Sequence, residues 1–149
     1  LSKNDRQDMI NNMVDGLAAK LKDNPNDLNG WLRLSRSYNV LGKPEKSKQA
    51  LIMAANLAPT RIDLQLELAR VLFPEGSPNV SATAEFKVVV ERIRRQAPEH
   101  PEALYFRGLL AKTEGDSSSA RKLWGKLLEK MGPNAPARSI IKNQLKDLE

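Results

Sequence analysis

A chain of 149 residues has the length of one domain and can bury roughly 68–70% of the surface its unfolded form exposes. At 40% hydrophobic and 28% charged residues it is composed like a folded globular chain, and no apolar run approaches the ~20 residues of a membrane span. The 24 Lys and Arg exceed the 18 Asp and Glu by a net charge of +6, while zero Cys and a single His exclude disulfides, thiolate metal sites, cysteine nucleophiles and His-rich metal clusters.

The opening Leu1-Ser2-Lys3-Asn4 has neither an initiator Met nor a charged-then-apolar leader, so a fragment or processed product is expected, with its targeting information elsewhere. Met13, Leu17 and Leu21, spaced i, i+4, i+8, predict a helix over 5–23 that stops before Pro25. A 34-residue unit follows. With Leu28 as its first residue, Trp31 is fourth, Leu34 seventh, Ser35 eighth, Tyr38 eleventh, Gly42 fifteenth, Ala54 twenty-seventh and Pro59 thirty-second, the register of a tetratricopeptide repeat (TPR). The large residues form one stripe of a helix over 27–41, the small eighth residue admits a second helix over 44–57, and Gly42 makes the turn.

The segment 62–100 repeats the pattern through Leu68, Ala69 and Leu72, with helices over 61–73 and 80–97. It is five residues too long, and Phe73-Pro74-Glu75-Gly76-Ser77-Pro78-Asn79 is expected to project as a loop. Gln65 stands where the large fourth residue belongs and Ile93 where a small one does. A third unit runs from Pro101 through Leu104, Gly108, Ala111, Ala120, Trp124 and Leu128, with helices over 101–114 and 117–131 and a cap at Asp116. Arg107 departs from its apolar seventh position. A last amphipathic helix over 135–148 carries Ile140, Ile141, Leu145 and Leu148. The expected fold is all-α: a single domain over 1–149, in which a leading helix (1–27) and a C-terminal capping helix (135–149) flank three TPR hairpins (28–61, 62–100, 101–134) in a right-handed superhelix with a concave face.

Few residues offer chemistry. His100, ahead of Pro101, reads as a helix cap rather than a titrating switch, because no second His accompanies it. Ser117-Ser118-Ser119 lacks the glycine–lysine pattern of a phosphate cradle, and Asn79-Val80-Ser81, although it fits an N-glycosylation acceptor, reads better as capping residues. Asp63 and Glu67 share a helix face without a base or nucleophile beside them. No catalytic residue, metal site or cofactor is expected. The basic runs Lys43–Lys48 and Arg92-Ile93-Arg94-Arg95 lack interleaved stacking aromatics, since Trp31, Tyr38 and Trp124 hold repeat-core positions, so they read as solvated faces rather than a nucleic-acid surface.

In the TPR register the groove positions of the first helices are Asn29, Leu32, Arg36, Asn39 and Val40, then Asp63, Leu66, Arg70, Phe73 and Pro74, then Glu102, Tyr105, Leu109, Lys112 and Thr113. Leu32, Leu66, Phe73, Tyr105 and Leu109 suit the apolar anchors of an amphipathic helix. Arg36 and Arg70, one repeat apart, are expected to be solvated and unpartnered, open to an acidic flank or a terminal carboxylate.

The runs Met13-Val14-x-Gly16-Leu17-Ala18-x-x-Leu21, Asn24-Pro25-x-Asp27-Leu28-x-Gly30-Trp31-Leu32-Arg33-Leu34 and Ser37-Tyr38-x-Val40-Leu41-Gly42 resemble the periplasmic TPR domain of cytochrome c-type biogenesis proteins. The resemblance continues through Pro101-Glu102-Ala103-Leu104-Tyr105-Phe106-x-Gly108-Leu109, Trp124-x-x-Leu127-Leu128 and Asn134-Ala135-Pro136-Ala137-Arg138; a TPR assembly subunit for a multihaem nitrite reductase shares these features. It implies a non-catalytic chaperone that holds the C-terminal helical segment of an apocytochrome c for the haem-ligation complex. It further implies a periplasmic domain, tethered to the inner membrane by an N-terminal anchor outside this sequence. A general TPR scaffold for complex assembly is the alternative.

Overall fold

The computed structural model of the chain describes residues 2–73 and 83–149. Among the described residues there is no strand, and the helices are α1 (Lys3–Asp23), α2 (Leu28–Val40), α3 (Pro44–Leu57), α4 (Ile62–Leu72), α5 (Ala84–Gln96), α6 (Pro101–Thr113), α7 (Ser117–Lys130) and α8 (Arg138–Lys146). The chain divides into two compact units, Leu1–Leu64 and Gln65–Glu149. The loop expected after Phe73, the Asn79-Val80-Ser81 triplet and residue 80 as a helix start lie outside the described residues. None of the described helices is long and apolar enough to cross a membrane.

Two recurring turns punctuate the chain. Gly42 (φ 71°) and Gly115 (φ 79°) take the left-handed conformation that L side chains resist. In both turns the next residue returns its N–H to the carbonyl five positions back, Lys43 to Tyr38 and Asp116 to Ala111, each at 2.8 Å. The glycine N–H bonds three back, to Asn39 (3.0 Å) and Lys112 (3.1 Å), completing a Schellman closure. The other turn is set by proline. Asn24, Ala58 and Ala97 each precede one and hold non-helical backbone (φ −131°, −131° and −149°), because the following ring crowds the helical region.

Helix starts follow side-chain acceptors. Ser2 and Asp5 form a capping box, and Asp27, Thr83 and Asp116 each accept a first-turn N–H. His100 caps α6, its Nδ1 accepting from Glu102 N at 3.1 Å, as its sequence position suggested. The helix expected over 135–148 is shorter at both ends. Ala135 precedes Pro136, and Ala137 brings no capping oxygen, so α8 starts only at Arg138.

The hairpins α2–α3 and α6–α7 close on the same repeat position with different chemistry. In the first unit the buried Ser47 Oγ donates to the Ser35 carbonyl at 2.8 Å, and Ser35 Oγ to the Ser47 carbonyl at 3.0 Å. In the second unit Gly108 stands where Ser35 does, and the fully buried indole of Trp124 fills the space, donating Nε1–H to the Tyr105 carbonyl at 3.2 Å. Trp31, the other expected core tryptophan, is only half-buried. It packs at the edge of the Val14, Leu21, Leu34 and Tyr38 cluster and bonds the Pro25 carbonyl at 2.8 Å, pinning the turn into α2.

Two departures from the repeat pattern find partners. Buried Gln65 accepts from Arg92 Nη1 at 3.2 Å, so a polar fourth residue is satisfied inside the unit. Arg107 turns away from the core and donates to the Pro98 carbonyl at 3.1 Å.

A Cβ on Gly108 would overlap the Trp124 ring, whereas Gly16 and Gly125 have open space. Gly108→Ala is therefore expected to destabilise the domain by about 1–3 kcal/mol despite alanine's better helix propensity, while Gly16→Ala and Gly125→Ala should each stabilise it by up to ~1 kcal/mol. Chemical denaturation of the three variants checks the opposite signs. Glu91 makes a second case: Arg94, at 2.6 Å, and then Arg95, at 3.2 Å, hold its carboxyl at about 2, below its ordinary 4.5. Its ion-pair stabilisation is fully present above the ordinary value and disappears as pH falls through about 2. Carboxyl-carbon NMR should find Glu91 titrating near pH 2, well below the ordinary glutamate value of 4.5.

Candidate functional site

In the second unit, α4, α6, α7 and α8 surround an open groove of about 540 Å³. Phe106, Leu127 and Ile141 are its buried members, Phe73, Tyr105 and Met131 are half-buried, and Ile140 is 37% exposed. The groove aromatics are linked through the buried Phe86 behind them. Phe73 meets Phe86 at 5.1 Å between ring centroids, Phe86 meets Phe106 edge-on at 6.2 Å, and Phe106 meets Tyr105 at 5.5 Å.

The charged members of the groove are Arg70 and Glu102. They face each other as a two-pronged pair, with Nε on Oε2 at 2.7 Å and Nη2 on Oε1 at 2.5 Å. The Arg70 bonds hold the Glu102 carboxyl below its ordinary range, and the same bonds push the Arg70 guanidinium up. Their side chains remain 53% and 36% exposed, so water screens the attraction and its contribution to stability is small.

The remaining wall, α8, is held by polar ties. Arg138 Nη1 donates to the Leu128 carbonyl at 2.9 Å, where α7 ends, and Lys112 Nζ bonds Gln144 at 2.8 Å and lies 3.5 Å from Asp147. These contacts position Ile140 and Ile141 over the groove.

The first unit has its own, shallower groove of about 430 Å³ between α1 and α2, which includes Ile10, Met13, Leu17, Arg33, Arg36 and Val40. Val40 is 87% exposed and Met13 68%. Arg36 is solvated, as expected, and forms no ion pair with a described residue; Asn29 and Asn39 are exposed and Leu32 half-buried beside it on α2.

Of the fifteen positions expected to face a groove, Arg70, Phe73, Glu102 and Tyr105 come together in the second unit, and Arg36 and Val40 line the groove of the first. Leu66 and Leu109, at 6% and 3% exposure, are core residues and not groove anchors, because the apolar stripes of α4 and α6 are wider than the repeat register implies. The expectation that Arg70 lacks a partner is corrected by Glu102. Asp63 is engaged by Arg61, at 2.7 Å, whose bonds lower its carboxyl. Leu127, Met131, Ile140 and Ile141 were missed, since groove positions were read from first helices alone; the apolar pair Ile140–Ile141 was their sequence signal.

The basic runs are engaged within the fold. Arg94 and Arg95 meet Glu91, Arg92 meets Gln65, Lys48 meets Glu45 at 2.8 Å, and Lys46 lies over the Tyr38 ring at 5.7 Å. Among the described residues there is no group of three or more His, Cys, Asp or Glu that could hold a metal ion.

The sequence matches, over residues 2–138, the family described as "Cytochrome c-type biogenesis protein H TPR domain". It is 51% identical over 51 residues to the cytochrome c-type biogenesis protein CycH of Rhizobium meliloti (strain 1021), covering 34% of this chain and 13% of that protein. Against the protein of the same name from Bradyrhizobium diazoefficiens it is 27% identical over 136 residues, 91% of this chain and 36% of the relative. The chain thus spans about a third or less of the curated relatives it matches. Two crystal structures of MamA are similar, with TM-scores of 0.55 and 0.57 over 99% and 98% of this chain and 88% and 80% of theirs; at 17% identity these likenesses show the fold alone. Because the family match takes in every helix from α1 to α7, the chain belongs to the TPR-domain family of cytochrome c-type biogenesis protein H.

Proposed function

We propose that this domain is a non-catalytic peptide-binding module of cytochrome c maturation. It holds the C-terminal helical segment of an apocytochrome c in the groove of the second unit and presents it to the haem-ligation complex. On this reading the domain works in the periplasm, on a protein anchored in the inner membrane.

The observation that carries the reading is the groove's composition. Phe73, Met131 and Ile140 offer apolar and aromatic contacts to water with no covering element among the described residues, Tyr105 lines the same groove, and the Arg70–Glu102 pair supplies the polar feature. An amphipathic helix presents side chains at i, i+3/i+4 and i+7, and burying these against such walls is the usual source of affinity in helix-in-groove binding. Membership of a cytochrome c-type biogenesis family supports an apocytochrome c as the client. A scaffold role in complex assembly is the second reading, supported by the exposed apolar surface of Met13 and Val40 in the first unit.

Calorimetric titration with synthetic C-terminal peptides of apocytochromes c tests the proposal, with scrambled peptides of the same composition as controls. Binding of the native-order peptides is expected. Ile140→Glu, at a partly exposed position, should leave the melting temperature within a few degrees while weakening binding tenfold or more, about 1.4 kcal/mol, by placing a charge against the apolar peptide face. Equal affinity for scrambled peptides, or no effect of Ile140→Glu, would contradict the groove reading.

A further inference from the structure

We infer that Glu102 is a place-holding carboxylate, which occupies the fork of Arg70 in the free domain and gives it up to a carboxylate carried by the incoming helix. The inference rests on the groove reading and adds its selectivity: the second-unit groove favours helices that bring their C-terminal carboxylate to the Arg70 end.

The geometry supports exchange. Arg70 uses Nε and Nη2, the edge of the guanidinium that matches a carboxylate in a planar, two-bond arrangement, and Glu102 fills both sites. A client carboxylate that replaced Glu102 would re-form the same two charge-assisted bonds, so the exchange loses no hydrogen bond at the arginine. Both partners are partly in water, which makes their separation cheap. Glu102 has somewhere to go. It lies in the first turn of α6, where a negative charge is favourable whether or not Arg70 is present. The N-terminus of α6 offers the client less, because the Glu102 N–H is already taken by His100 Nδ1 at 3.1 Å. Arg70 is therefore the strongest anion-binding group among the residues of this groove.

An internal competitor changes what the groove selects. A bare arginine would attract any acidic surface, whereas an occupied one yields only to a carboxylate held in place by neighbouring contacts, here those with Phe73, Tyr105 and Ile140. The sequence offers a contrast one repeat earlier, where Arg36 has no ion-pair partner among the described residues.

The test compares two synthetic amphipathic helical peptides, identical except that one ends in a free carboxylate and the other in an amide, on the wild type, Glu102→Gln and Arg70→Gln. Glu102→Gln keeps the shape of the side chain and should melt within a few degrees of the wild type. It is expected to bind the free-carboxylate peptide about tenfold more tightly than the wild type does, with the amidated peptide unchanged. Arg70→Gln should bind both peptides equally. In the wild type, the Glu102 carboxyl-carbon NMR signal should move to that of a solvated carboxylate when the free-carboxylate peptide is added, and stay in place with the amide. Binding of both peptides with equal affinity on all three proteins, or a Glu102→Gln gain shared by the amide, overturns the exchange and leaves the groove reading standing. No binding of either peptide to any of the three overturns both.

Discussion

The close approach of paired helices at the eighth residue of a repeat is the constraint on which the rest of this structure depends. Apart from the 21-residue α1, the described helices run 9 to 14 residues, too short to hold their shape by propensity alone, and are stabilised by burying one stripe against a neighbour. Where Gly108 lets the Trp124 indole reach the α6 backbone, α6 and α7 are locked in register by packing and by the bond to the Tyr105 carbonyl. That lock fixes which face of α6 is left over. Glu102 and Tyr105, three residues apart and so neighbours on one face, belong to the face that α7 does not cover, and they become walls of the groove. In α2 and α3 the crossed Ser35–Ser47 bonds do the same work with polar atoms.

The electrostatics follow from local pairing more than from the net charge of +6. Glu91 collects Arg94 and Arg95, Glu99 collects Lys126 at 2.7 Å and Lys130 at 3.8 Å, and Asp63 takes Arg61. Paired charges of this kind project little field beyond their own neighbourhood, and salt weakens it further. In the second-unit groove the same rule leaves a guanidinium that is matched but still reached by water. An apolar wall beside an exchangeable ion pair is a surface suited to recognising a helix by its apolar face and its charge together.

Much of the fold was readable because its signals are local. Gly42 and Gly115 announce left-handed turns, Pro25 and Pro59 announce helix ends, and the spacing of Leu34, Tyr38 and their equivalents sets the helix period. The site was less readable, since it depends on which side chains meet across the sequence. Repeat arithmetic assigned Phe73, Tyr105 and Arg70 to groove positions, and the structure sets all three around one cavity, yet it could not show that Glu102, 32 residues away, would reach Arg70, although it named both. It assigned Leu66 and Leu109 to the groove because it treats every repeat as ideal, and it passed over Ile140 and Ile141 because α8 lies outside the repeats. Gln65 and Arg107 looked like defects of the pattern until Arg92 and the Pro98 carbonyl supplied their partners.

The central claim is that the groove of the second unit receives the apolar face of a client helix. Intermolecular NOEs between a labelled C-terminal apocytochrome c peptide and the methyl groups of the domain test it most directly. The account predicts contacts to Leu127, Met131, Ile140 and Ile141, with the Met13 and Val40 methyls silent. Contacts confined to Met13 and Val40, or spread evenly over the surface, would contradict it.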